Sequence, residues 1–172
     1  MNKHDSKKTD HLTKMGLLLA LSLILSYIEF IIPFNFTVPG MKLGLANLAV
    51  VLTLYLFGER DAFLIDVLRV ILSGFLFGNL AGILFSLAGA VLSFAAMVVA
   101  RKLKIFSICG VSICGGIFHN IGQIIIAMFV VKTMGIIYYL PVLLITGVIT
   151  GALIGISSAA VLKYKIKDTN RS

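Results

Sequence analysis

Six apolar stretches, at about residues 12–32, 43–57, 62–77, 80–100, 105–131 and 138–162, fill most of a 172-residue chain, and nearly every lysine and arginine lies between or outside them. Hydrocarbon offers no partner for an open backbone N–H or C=O, so a chain crosses it as helices of about 20 apolar residues or as a closed barrel. The length of the runs and the lack of strict alternation point to helices. The expected fold is an all-α integral membrane protein, a compact bundle of six transmembrane helices with the lipid bilayer as its solvent. Charged residues make up 13% of the chain, where a soluble domain carries about 25%. The second and third stretches are short for a full crossing and need tilt or shelter from their neighbours.

Twelve of the fifteen basic residues fall in segments that share one side if the N-terminus is cytoplasmic: Lys3, Lys7, Lys8, Lys14, Arg60, Arg101, Lys102, Lys104, Lys163, Lys165, Lys167 and Arg171. Only Lys42 and Lys132 fall on the other side, and Arg69 lies within a stretch. Loops rich in Lys and Arg stay inside, so both termini are assigned to the cytoplasm of a multi-pass cell-membrane protein. The net charge of +8 is used up by these loops, leaving no folded basic face for nucleic acid. Residues 1–11 form a polar cytoplasmic N-terminus, expected to fray, residues 12–162 the membrane domain, and residues 163–172 a basic cytoplasmic tail. The first stretch lacks a small-x-small cleavage site and is expected to remain as a helix.

Polar residues inside the stretches carry the functional information, because an ionised group at the centre of a membrane helix costs about 2.5 to 3.5 kcal/mol on insertion scales. Asp66 and Arg69 stand at i, i+3 with Ser73 one turn on. They either neutralise one another, alone or with a neighbouring helix, or meet a substrate. The fifth stretch contains GGIFHNIGQ, which brings His119 and Asn120 to roughly mid-membrane, with Gln123 on the same helix face as Asn120. Ser22, Ser26 and Glu29 form a stripe on the first helix, and Asn47 lies about one turn below Lys42. Under the assigned topology Glu29, Lys42, Asn47, Asn79 and Gln123 all fall in the outer half. Convergence of polar groups from several helices is expected of a pocket open to the exterior, with Lys42 and Arg69 available to an anionic group.

Gly147, Gly151 and Gly155 recur at i, i+4 on the last helix, and Gly78, Gly82, Ser86, Gly89 and Ser93 form a looser stripe on the fourth. Small residues let membrane helices approach closely, though they can also clear room for a ligand. Cys109 and Cys114 fall on different helix faces without nearby histidines, so no metal site is expected. Nucleotide-binding, HExxH and GxSxG motifs are absent, as is the DDxxD element that holds magnesium on a diphosphate. No catalytic residue and no cofactor is therefore assigned, and the chain is read as a non-enzyme.

The segments PGMKLGLANLAVVLTLYLFGERDAFLIDVLRVILSGFLFG, GGIFHNIGQ and YYLPVLLITGVITGALIG resemble the Gx transporter family, widely labelled heptaprenyl diphosphate synthase component I, over about residues 12–162. That family is in turn similar to the substrate-binding S-components of energy-coupling-factor (ECF) vitamin transporters. The resemblance implies a six-helix fold with both termini inside and a small-molecule ligand near the outer face. It also implies docking of the first three helices on an energising membrane subunit driven by ATPases. The loop through Lys42 would be a gate, and Asn47, His119, Asn120 and Gln123 pocket residues. S-components often carry a small-xxx-small alanine motif on helix one, whereas this chain has only the Gly16–Ala20 step. The alternative role implied is that of a non-catalytic accessory to isoprenoid or quinone synthesis, or to a flavin-based extracellular electron-transfer system.

Overall fold

The computed structural model describes residues 3–32 and 44–169. Six α-helices occur among them: α1 Lys3–Ile31, α2 Asn47–Leu56, α3 Glu59–Phe77, α4 Leu80–Leu103, α5 Ile108–Val131 and α6 Leu140–Thr169, the last entered through a 3-10 turn, Met134–Tyr139. No strand is present among the described residues. Four spans are long and apolar enough to cross a membrane: Asp5–Ile31, Leu80–Leu103, Ile108–Val131 and Met134–Tyr164. The chain is thus a helical membrane protein. Large apolar side chains such as Phe75 and Phe129 face outward from it, 73% and 75% exposed, as suits a surface solvated by hydrocarbon.

The helix breaks follow local chemistry. Gly58, at φ +104°, turns the chain between α2 and α3 in a conformation that L side chains rarely adopt. Asn79 and Ser107 cap α4 and α5, accepting from the backbone N–H of Gly82 and Gly110. Lys104 and Lys132 end the same two helices in the left-handed conformation. Pro141 sits in the first turn of α6, where its missing N–H leaves no bond unmade.

α1 differs most from expectation: it is helical from Lys3, well before the apolar run begins and where fraying was expected. Thr9 and Thr13 donate to the carbonyls four residues back, Lys14 pairs with Asp10, and His11 lies 3.3 Å from Asp61 while its ring meets Phe57 edge-on. Polar residues can extend a helix that is already nucleated, since each further residue adds a bond without a new nucleation step.

The helices alternate in direction. At one end His11 of α1 reaches Asp61 of α3, Arg101 of α4 lies over the Tyr55 ring, and Lys102 pairs with Glu59 at 3.3 Å. At the other, Tyr27 and Phe30 of α1 meet Phe77 of α3. α5 packs between α4 and α6, while α1, α2 and α3 pack together and join the rest where α3 meets α4 and α2 meets α6.

Glycines set the contacts of α5. A Cβ on Gly122 would lie 2.5 Å from the Ala88 carbonyl oxygen of α4, and one on Gly116 only 2.3 Å from the Gly147 oxygen of α6. Gly151 and Gly155 similarly lie against the backbone of α5 at Ile113 and Cys109. The stripe of Gly147, Gly151 and Gly155 is therefore a packing seam. Its contacts are backbone on backbone, the means by which helices gain packing energy where lipid gives no hydrophobic drive.

Candidate functional site

Two apolar clusters divide the interior. Val50, Leu54, Ala62, Met97, Val111 and Ile154 fill the end nearer the basic loops, and Phe85, Ile124, Ala127, Ile136 and Leu143 fill the other. Between them runs a buried polar layer containing Asn47, Asp66, Arg69, Ser73, Ser86, Ser93, His119, Asn120 and Gln123.

Its first half is a buried ion-pair network. Asp66 and Arg69 are 1% and 3% exposed, and the Asp66 Oδ1 accepts from Arg69 Nε at 2.9 Å and lies 2.7 Å from Nη2. The same Nη2 donates to Asn47 Oδ1 at 2.7 Å. The pair is thus completed by a neighbouring helix, and Asn47, assigned from sequence to ligand contact, bridges α2 to α3. Arg69, considered for an anionic group, has its guanidinium engaged by these two side chains.

Glu29 also has a structural task. Its Oε1 accepts from the backbone N–H of Gly44 at 2.5 Å and of Leu45 at 3.0 Å. These groups precede α2, whose N-cap residue Ala46 supplies no side-chain bond. The carboxylate of α1 therefore caps α2 from a distance of fifteen residues in sequence, at the positive end of the helix dipole. Replacing Glu29 with Ala should cost about 1 to 2 kcal/mol and speed hydrogen exchange at Gly44 and Leu45, while Gln, which keeps a carbonyl acceptor, should retain most of the protection. Unchanged exchange in the Ala variant would show that the cap contributes nothing.

Gly44 holds three helices together. Its φ is +87°, and a Cβ there would come 3.3 Å from Asn47 Nδ2 and 3.6 Å from His119 Cδ2. α1, α2 and α5 therefore meet at one glycine. Nothing singled out Gly44 in the sequence beyond its place three residues before Asn47.

The second half of the layer is on α5. Asn120 Nδ2 donates to the Leu143 carbonyl at 2.5 Å, which also accepts from Thr146 Oγ1, leaving Asn120 Oδ1 without a hydrogen-bond partner among the described residues. Gln123 is 0% exposed, and neither its Oε1 nor its Nε2 has a partner among those residues. His119 and Gln123 both lie over Gly89 of α4, where a Cβ would come within 2.9 Å of His119 Nδ1 and 3.0 Å of Gln123 Cγ. The hydroxyls of Ser86 and Ser93 are likewise buried and open; the sequence marked these two serines only as small packing residues.

Five residues assigned to the site from sequence thus come together: Glu29, Asn47, His119, Asn120 and Gln123. Asn79 stands apart, exposed at the α3–α4 turn as the cap of α4. Lys42 lies outside the described residues. Among the described residues no group of three or more His, Cys, Asp or Glu is placed to hold a metal ion. Two adjoining grooves between α4 and α5, of about 390 and 540 Å³, share Leu92 and Ala95. Their linings are almost wholly apolar, so they suit hydrocarbon rather than a polar ligand.

A family model described as heptaprenyl diphosphate synthase component I matches residues 18–161. No curated protein and no solved structure matches the chain.

Proposed function

The chain belongs to the heptaprenyl diphosphate synthase component I family, and from that premise we propose that it is a non-catalytic membrane subunit that captures a small molecule in its polar layer from the outer side. The observation that carries this reading is the wholly buried Gln123 carboxamide, open at both atoms beside the open Asn120 Oδ1. A buried polar group left unpaired costs about 1 to 3 kcal/mol, and hydrocarbon supplies no substitute partner. A bound molecule supplies the missing bonds. The outward direction rests on the distribution of Lys and Arg, which assigns the end away from the basic loops to the exterior.

Nothing in the sequence suggests nucleotide hydrolysis, so the energy for movement comes from a partner or an ion gradient. α1 offers a face for such a partner: a Cβ at Gly16 would meet nothing within 4 Å, and Leu17 and Ile24 are exposed.

The family's description favours a second reading, an accessory subunit of isoprenoid diphosphate synthesis, and the α4–α5 grooves would suit a long apolar chain. A thermal-shift screen of the detergent-solubilised protein against vitamins, flavins and isoprenoid diphosphates separates the two. Capture predicts a stabilising compound whose effect is lost in His119→Ala and reduced in Lys42→Ala. Isoprenoid diphosphates that stabilise both variants as well as the parent would favour the accessory role and refute the pocket.

A further inference from the structure

We propose that the molecule captured in the polar layer is neutral where the layer reads it, and presents two N–H groups and one carbonyl, as a primary carboxamide or a ureide does. The proposal rests on the capture reading above and names its substrate class.

Charge comes first. Among the described residues the layer and its rim hold one guanidinium, Arg69, and two carboxylates, Asp66 and Glu29. The guanidinium is taken by Asp66 and Asn47, and Glu29 accepts from two backbone N–H groups. Among the described residues an anion entering here would meet no Lys or Arg that is not already neutralised, and it would approach the second oxygen of Asp66, which accepts from none of them. Burying an unpaired charge in low dielectric is strongly unfavourable. A neutral ligand avoids that penalty.

The open atoms give the complementary pattern. Because Asn120 Nδ2 is fixed on the Leu143 carbonyl, its Oδ1 can only accept. Gln123, one turn along the same helix, offers one further acceptor and one amino donor. Two acceptors and a donor are satisfied together by two N–H groups and a C=O. Gly89 of α4 adds a second feature: a Cβ there would lie within 3.0 Å of His119 and Gln123, so the Gln123 side chain reaches the layer at this point only because α4 carries a glycine.

The test uses the full chain in detergent with two pairs of probes that differ in charge. Nicotinamide is compared with nicotinate, and uracil, which carries the N–H/C=O/N–H edge, with orotate, which adds a carboxylate to it. Thermal shift and equilibrium binding of radiolabelled probe are the readouts. A neutral member should bind at least about tenfold more tightly than its anion, because a site built for hydrogen bonds discriminates strongly between such analogues. Gln123→Leu should abolish the neutral probe's effect while raising the melting temperature of the ligand-free protein, since it removes two unpaired polar atoms. Gln123→Met serves if the Leu variant does not fold.

Anions binding as tightly as their neutral partners, in a manner dependent on Gln123, would overturn the neutral class and leave the capture reading intact. Failure of all four probes would also overturn the proposed class. Failure of every compound in the broader screen would overturn the capture reading itself.

Discussion

Arg69→Met is expected to destabilise the protein by about 3 to 5 kcal/mol, the range for removing one partner of a buried pair and leaving its charge uncompensated. The substitution strips Asp66 Oδ1 of both its donors and leaves Asn47 Oδ1 open as well. Asp66→Leu alone should be comparably damaging, because it abandons a guanidinium that is 3% exposed. The double variant, Asp66→Leu with Arg69→Met, should recover most of the loss, since apolar groups of similar volume replace an ion pair at little net cost. Denaturant titration in mixed micelles, followed by far-UV circular dichroism, gives the four corners of the cycle. The exposed pair Lys102–Glu59 is the control, and Lys102→Ala should change stability by less than about 1 kcal/mol. A loss of under about 1 kcal/mol in Arg69→Met would show that the network does not hold α2 to α3.

Gly116→Val is expected to be at least as severe. Even a methyl group there would lie 2.3 Å from the Gly147 oxygen and 3.1 Å from its carbonyl carbon, and neither atom can move without shifting the helix. Overpacking of a rigid contact costs about 1 to 3 kcal/mol and occasionally more; with backbone on both sides, about 3 kcal/mol or more is expected. Gly122→Val should behave alike against the Ala88 oxygen of α4. Gly16→Ala provides the contrast, because nothing lies within 4 Å of the added Cβ, and the better helix former should stabilise α1 by up to about 1 kcal/mol. Size-exclusion profiles and unfolding midpoints in detergent report these differences. A Gly116→Val protein that elutes and unfolds like the parent would refute the seam.

How far the sequence could be read depended on the range of the interaction. The helices were legible because each rests on a continuous apolar run, whereas Asn79, read as a pocket residue, instead caps α4. The α6 seam was legible too, since its three glycines repeat at one helical spacing. The pairing of Asp66 with Arg69 followed from i, i+3 geometry. The part played by Asn47 did not, because its bond to Arg69 spans 22 residues and exists only once α2 lies on α3. Glu29 was read as a ligand contact for the same reason: its bonds to Gly44 and Leu45 depend on how the chain returns from α1 to α2. The starts of α1 and α2 were misplaced in opposite directions. α1 extends through polar residues that hydropathy discounts, and α2 begins only at Asn47, after the turn at Gly44.

The glycine contacts of α5 have a mechanical consequence. Helices touching backbone to backbone cannot slide or roll without collision, so α4, α5 and α6 behave as one stiff plate. α1, α2 and α3 form a separate leaf, joined to the plate where α3 meets α4 and α2 meets α6, and where Gly44 lies against His119. Asn47, Asp66 and Arg69 belong to the leaf, and His119, Asn120 and Gln123 to the plate. The polar layer therefore straddles the seam between plate and leaf, and both helix groups contribute side chains to it.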